Sequence, residues 1–404
     1  MVMSDVTLSG TAAEPAPQTL PLTRPNPFDP PPGLTAPAGE PRIRRMTFAD
    51  GHLGWLATGH TTARAILADP RFSPRPELNH PPMGRAEKPK DVTPSGFFLL
   101  MDPPDHTRYR KLLTGQFTVR RMRQLEDRIS EIITERLDAM AAAGPPSDLV
   151  RDFALPVPSL VICELLGVPY SDRAGFRRDT EQLIDFELPE QQVTAALDRL
   201  TGYLQELVAR KRAEPADDLI SSLAADPTLS DREIAGMATL LLIAGHETTA
   251  NMLALGTLVL LTDPALRAAA ADPATINTTV EELLRYLSVV YVLVRTAVTD
   301  VEIEGQLVRA GETVTLHLGA ANRDPERFTD ADRPGAAAGR PGHLAFGHGI
   351  HQCLGQQLAR VELRLAFPAL LRRFPGLRLA APPEEVPVRT RAVIHGLHRL
   401  PVTW

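Results

Sequence analysis

Two cysteines in 404 residues, Cys163 and Cys353, are too few for a disulfide framework, and such sparing use fits a reducing compartment. Positive charge is not in excess either. Forty-three Lys and Arg against 49 Asp and Glu leave a formal net charge of −6, which excludes a general attraction to nucleic acid. No uninterrupted apolar run reaches the roughly 18 residues that span a bilayer. The longest candidate, Ile234 to Leu261, is broken by Gly245, His246, Glu247 and Asn251 and reads as a helix buried in protein, not lipid. Met1–Leu20 lacks the basic segment and apolar stretch of a signal peptide, so a cytoplasmic location without membrane insertion is expected. Gly-x-Gly-x-x-Gly and Walker A loops are missing, as are internal repeats and Gly/Ser-rich linkers. A built-in flavin or nucleotide module is therefore not expected.

What is present is a 43% hydrophobic chain able to bury a large core. Ten prolines from Pro15 to Pro41 predict extended chain, with residues 1–24 a disordered tail before a single domain over residues 25–404. Strand-like runs at Ile43–Phe48 and Leu53–Leu56 precede a helical His60–Ala68. The proline-rich Ser73–Gly96 is expected to be a mobile loop. Asp105 to Lys211 is mostly helical, with Arg121–Ala143 carrying apolar residues at helical spacing and stopping at Gly144-Pro145. Further helices are expected over Asp217–Leu223, Ser230–Leu261, Ala274–Leu287 and Cys353–Phe374. Strands are expected within Arg295–Leu318 and Val386–Trp404. The fold class that follows is mainly α with small β-sheets.

The stretch Phe346-Gly-His-Gly-Ile-His-Gln-Cys353-Leu-Gly355 is the most informative. A glycine-rich turn runs into an apolar helix expected to open at Cys353, where the helix dipole and free N–H groups stabilise a thiolate. Gly349 and Gly355 let a flat ligand approach the backbone. Free cysteines are most often small buried hydrophobes, and His348, His351 and Cys353 have a spacing that suits zinc. Neither accounts for a Phe seven residues ahead of the thiol together with paired glycines. Phe346-x-x-Gly349-x-His351-x-Cys353-x-Gly355 resembles the heme-binding signature of the cytochrome P450 family. That resemblance implies a cytochrome P450 fold, with heme b (iron protoporphyrin IX) between an oxygen-activating helix and the cysteine-loop helix. It further implies Cys353 as axial thiolate and metal ligand, Phe346 packed on that face, and His351 on a propionate.

Ala244-Gly245-His246-Glu247-Thr248-Thr249 interrupts an otherwise apolar helix. Gly is disfavoured in a helix interior by about 1 kcal/mol, and Thr248 can bond back to the carbonyl of Ala244. Gly245 leaves room against the backbone. An acid and an alcohol side by side suit proton transfer. For an isolated helix, a self-satisfied Thr248 and a solvated Glu247 would be the better reading. Beside the cysteine loop, the resemblance implies Thr248 and Glu247 as the proton-delivering pair, with Ala244 and Gly245 against the cofactor. It assigns nothing to His246 and no settled role to Thr249.

Glu282-Leu-Leu-Arg285 sets an acid and a base at i,i+3, and Glu281 is also within reach of Arg285 at i,i+4. Exposed pairs of this kind are weak evidence. The resemblance implies that Glu282 and Arg285 brace the fold with a third arginine, for which Arg333 is the candidate and Arg327 of Pro325-Glu-Arg-Phe328 the second choice. It also implies that His106, Arg110 and Arg295 join His351 on the propionates. Phe98, Ile243, Val290, Leu293 and Ile394 are the candidate substrate contacts.

Between Asp105 and Glu126 there is no acid, while Arg108, Arg110, Lys111, Arg120, Arg121 and Arg123 are basic. Such a patch in an acidic protein suits an acidic partner. The family likeness implies a ferredoxin, with its ferredoxin reductase, as electron donor. The function implied is hydroxylation or epoxidation of a mostly apolar small molecule of secondary metabolism, free or tethered to a carrier protein. A peroxide-driven peroxygenase and a catalytically silent helper are the alternatives. The Glu247-Thr248 pair argues against the first, and the retained Cys353, Thr248 and Glu282/Arg285 against the second.

Overall fold

The computed structural model describes residues 17–34, 40–83, 93–184, 188–335, 339–389 and 394–404. Its organising element is the helix Asp231–Thr262, 32 residues long and buried over most of its circumference. It is apolar on all sides, as a helix surrounded by protein must be. A capping box starts it. The Ser230 side chain accepts the Glu233 N–H, and the Glu233 carboxylate accepts the Ser230 N–H at 2.8 Å. Asp263 ends it and caps the next helix, Pro264–Ala271, by accepting the N–H groups of Ala265 and Leu266. Around it pack Pro156–Leu166, Glu190–Ala213 and Gln356–Arg373, the last of which also rests on Val119–Ala143. One continuous core extends from Phe98 to Val402.

The largest sheet has five strands in the order Ile43–Thr47, Leu53–Ala57, Thr313–His317, Val292–Ala297 and Phe72–Ser73. Among the described strand pairs only Leu53–Ala57 with Thr313–His317 is parallel, and the chain between them passes through most of the helices. Val301–Ile303 and Gln306–Val308 form a hairpin whose turn, Glu304 and Gly305, has positive φ at both positions. In the third sheet Pro401–Thr403 lies between Ser147–Asp148 and Arg378–Leu379.

Several expectations need correction. Pro17–Arg24 is not a tail: Thr47 N–H bonds the Gln18 carbonyl at 3.1 Å, Leu20 is buried, and the Arg24 guanidinium covers Tyr291. The remainder of the expected tail, residues 1–16, lies outside the described residues, as do 84–92 of the expected mobile loop. Of the expected C-terminal strands, among the described residues, only Pro401–Thr403 forms; Val388 and Ile394 make isolated bridges to Leu397 and Val290. Among the described residues, no single helix is long and apolar enough to cross a membrane. The central helix passes that test only together with Pro264–Ala271, at a 120° bend.

Candidate active site

The helix after the cysteine begins at Gln356, not at Cys353. Gly349–His351 forms a single 3-10 turn first, and Cys353 stands between the two. Gly349 is obligatory there, because its φ is +75° and a Cβ would collide with the Leu67 carbonyl oxygen. The Cys353 N–H donates to the Phe346 carbonyl at 2.9 Å, closing the loop. The N–H groups of Gly355 and Gln356, two and three residues on at the start of the helix, act on its sulfur. Burial is the largest influence on the thiol and pushes it up. Those N–H groups and the charges of Arg110 and Arg360 pull the other way. Cys353 is nevertheless exposed by surface area. Both descriptions fit a side chain enclosed by protein that faces an internal space.

Two arginines and two imidazoles gather at this point. His106 and His351 lie with ring centroids 4.2 Å apart, and none of their four ring nitrogens has a hydrogen-bond partner, although His106 approaches the Ile350 carbonyl. Burial, then the charges of Arg295, His106 and Arg110, hold His351 down to about 3. Burial lowers Arg295 to about 10, and its side chain donates to the Val294 carbonyl at 2.8 Å. Arg110 is lowered by burial and raised by Cys353. Buried donors without acceptors are costly unless something accepts from them. The set therefore suits a flat group presenting a metal to sulfur and carboxylates to His106, Arg110, Arg295 and His351. Iron protoporphyrin IX, with its two propionates, has that form. Among the described residues no three His, Cys, Asp or Glu side chains converge on one point, so His348, His351 and Cys353 do not build the zinc alternative.

On the buried central helix, Ile243, Ala244, Gly245 and Thr248 form an accessible stretch. Thr248 Oγ1 donates to the Ala244 carbonyl at 2.7 Å, as expected. Glu247 is not solvated: its carboxylate is buried and pairs with Arg389 at 2.6 Å. Burial raises its pKa, opposed by that arginine. His246 is buried against the Leu155 carbonyl at 3.2 Å, and Thr249 is buried too. Of the candidate substrate contacts, Val290 and Ile394 pair in a β-bridge, Leu293 lies beside Gly347, and Phe98 lies 6.2 Å from the His106 ring.

Glu282 and Arg285 form a bidentate pair, 1% exposed on both sides, and Arg285 Nη1 donates to the carbonyls of Asn322 and Ala331. Arg333 does not join them: it is exposed, and its backbone N–H alone is engaged, with Asp330. The buried arginine nearby is Arg323, which donates to the carbonyls of Tyr286 and Phe28 and pairs with Asp332. Arg327 bonds the Pro341 carbonyl instead. Glu281 does not reach for Arg285 but takes Arg360 at 2.6 Å and His343 at 3.1 Å. In the basic stretch Arg108 is held by Glu233 and Arg121 by Asp217, leaving Lys111, Arg120 and Arg123 on the surface. Sequence reasoning missed Arg389, Arg323 and Arg360. Only Arg360 carried a signal, one turn beyond Gln356 on the cysteine-loop helix.

Residues 275–389 match the profile of the family described as Cytochrome P450. Cytochrome P450 105C1 of a Streptomyces species is 51% identical over 96% of this chain and 99% of its own length. Pentalenic acid synthase of Streptomyces avermitilis is 43% identical over 99% of this chain and 100% of its own. The crystal structure of CYP105P1 in complex with filipin I superposes with a TM-score of 0.90 at 43% identity, covering 96% of this chain and 99% of that one. Rif16 does so at 0.83 and 48% identity, covering 95% and 98%. With sequence and fold alike over nearly the whole length of these proteins, the chain belongs to the cytochrome P450 family, in its CYP105 group from Streptomyces and related actinomycetes, and is a heme monooxygenase.

Proposed function

We propose that this monooxygenase hydroxylates or epoxidises a mostly apolar small molecule of secondary metabolism, with electrons from a ferredoxin and its reductase. One domain from about residue 17 onward does the work. Cys353 holds the iron as a thiolate, Phe346 covers that face, and His106, Arg110, Arg295 and His351 hold the propionates. When bound, heme b supplies dioxygen activation and transfer of one oxygen atom to carbon. The observation that carries this reading is the pair of imidazoles with buried, unpartnered ring nitrogens beside two arginines and a thiol just ahead of a helix N-terminus.

Ala244 and Gly245 would leave room for the cofactor against the central helix, with Thr248 one turn beyond Ala244. Glu247 keeps a buried, upward-shifted carboxyl as proton source, and the Thr248 hydroxyl passes the proton on. Glu282 and Arg285 brace the chain behind the site. Phe98, Ile243, Val290, Leu293 and Ile394 meet the substrate. Relatives at 42–43% identity are named pentalenic acid synthase, vitamin D3 dihydroxylase and nocardicin C N-oxygenase, so identity at this level does not carry one substrate. For the ferredoxin, a groove of about 590 Å³ on the Phe346 side sets the exposed Arg123 and Val119 beside Arg360 and Arg364, which are already paired with Glu281 and Glu126.

Optical titration of the ferric protein with macrolactones, terpenoids and aromatic acids tests the reading, with the reduced–CO spectrum recorded alongside. A low-to-high-spin shift with one class identifies the substrate family. A reduced–CO spectrum without the thiolate signature would remove Cys353 as the ligand. Turnover with hydrogen peroxide but none with ferredoxin and reductase would remove the electron donor.

A further inference from the structure

Two adjacent acids on the helix Ile276–Leu287 do different work. Glu282 is spent on Arg285, while Glu281 faces the cysteine loop. Its carboxylate takes a two-bond fork from Arg360, Nε to Oε1 at 2.6 Å and Nη2 to Oε2 at 3.0 Å. The remaining guanidinium nitrogen, Nη1, donates to the Gln356 side chain at 3.0 Å. The plane of that guanidinium lies over the Phe346 ring, 4.5 Å from its centroid. Phe346 supplies the carbonyl that receives the Cys353 N–H, and Gln356 one of the N–H groups that act on the sulfur. From the other limb His343 donates Nε2–H to Glu281 at 3.1 Å, since its Nδ1 accepts from Ala345 N–H. One acid thus gathers both limbs of the loop, and one guanidinium touches the residues on either side of Cys353.

We infer that Glu281 and Arg360 are positioning residues for the thiolate: they clamp the loop and hold one oriented positive charge beside the sulfur. The inference rests on the heme-thiolate reading above. Arg360 is the closer member, its guanidinium touching both Phe346, which bonds the Cys353 N–H, and Gln356 at the start of the following helix, whereas Glu281 acts through it. A cation beside the sulfur draws electron density from it and eases reduction of the iron; the clamp keeps the sulfur in place for ligation.

The experiment uses the full heme-loaded chain, with the reduction potential and the reduced–CO spectrum as readouts. Arg360→Gln is expected to move the potential negative and to convert part of the reduced–CO population from thiolate-ligated to thiol-ligated. Arg360→Lys keeps the charge but not the fork, so it should restore the potential and not the ligation. Glu281→Gln removes the counter-charge and should move the potential positive, by less. An unmoved potential in Arg360→Gln, or shifts of the same sign in Arg360→Gln and Glu281→Gln, would overturn the inference. Should Arg360→Gln fail to load heme, the sign of the Glu281→Gln shift decides alone. A wild-type spectrum lacking the thiolate signature overturns the heme-thiolate reading as well, whereas a sound wild type with unmoved variants overturns this inference only.

Discussion

Burial acts on Glu362 and Glu281 in the same sense and ends in opposite results. In Glu281 it raises the carboxyl, but hydrogen bonds from His343 and Arg360 outweigh it and leave the pKa at about 2. Glu362, fully inside the cysteine-loop helix packing, has an Oε2 with no partner, and burial alone lifts it to about 8 from 4.5. The folded protein then keeps a proton on Glu362 that the unfolded chain releases near pH 4.5. Stability therefore falls as pH rises through the window from about 4.5 to about 8, by up to about 1.4 kcal/mol per pH unit, and is flat above it. Glu362→Gln keeps the shape and removes the proton, so it should flatten that window and be the more stable protein at pH 8. Urea denaturation of both proteins at pH 5 and pH 8 checks this, and equal differences at the two pH values would refute it. Thr248 belongs to the same scale. With general acid catalysis worth roughly 100-fold or more, Thr248→Ala should lower product per electron pair by at least about tenfold and send the rest to hydrogen peroxide. Unchanged coupling would take Thr248 out of proton delivery.

Among the elements, the start of the central helix is the most heavily fastened. Ser230 and Glu233 close the capping box, and Glu233 also receives Arg108 at 2.5 Å and the Tyr109 hydroxyl at 2.8 Å. Ser230→Ala should cost about 1 kcal/mol in chemical denaturation while the bound-heme spectrum stays as it was. This helix was legible in sequence because Ile234 to Leu261 is a long, nearly apolar stretch. The helices His60–Ala68 and Val119–Ala143 were legible by their periodicity and breakers. The start of the cysteine-loop helix was not. The thiol stands just outside the helix start, so the dipole argument holds while the helical residues begin three positions later. Arg333 failed for a related reason. In an irregular segment no periodicity says which arginine turns inward, and Arg323, at the end of the short helix after Thr313–His317, is the one that does. The Glu247–Arg389 pair joins residues 142 apart, and only folding brings them together.

At the scale of the molecule, the motif residues could be read because their chemistry is unusual where they stand. A Gly-His-Glu-Thr-Thr break in an apolar helix and a cysteine before a helix are such cases. Partners supplied from afar could not be read, nor could Pro17–Arg24, whose prolines suggested a tail but whose Leu20 and Arg24 dock on the sheet. The 32-residue central helix has a mechanical consequence. It is a beam about 45 Å long between Arg232 and Thr262 at 1.5 Å per residue, and helices from both halves of the chain lean on it. Room for a bulky guest must then come from the leaning parts and not from the beam. Spin labels at Arg232 and Thr262 should report one separation with and without ligand, while a label at Gln205 on the helix Glu190–Ala213 should move relative to either end. A change in the Arg232–Thr262 distance would mean that the beam itself yields, and that its glycine at position 245 acts as a hinge.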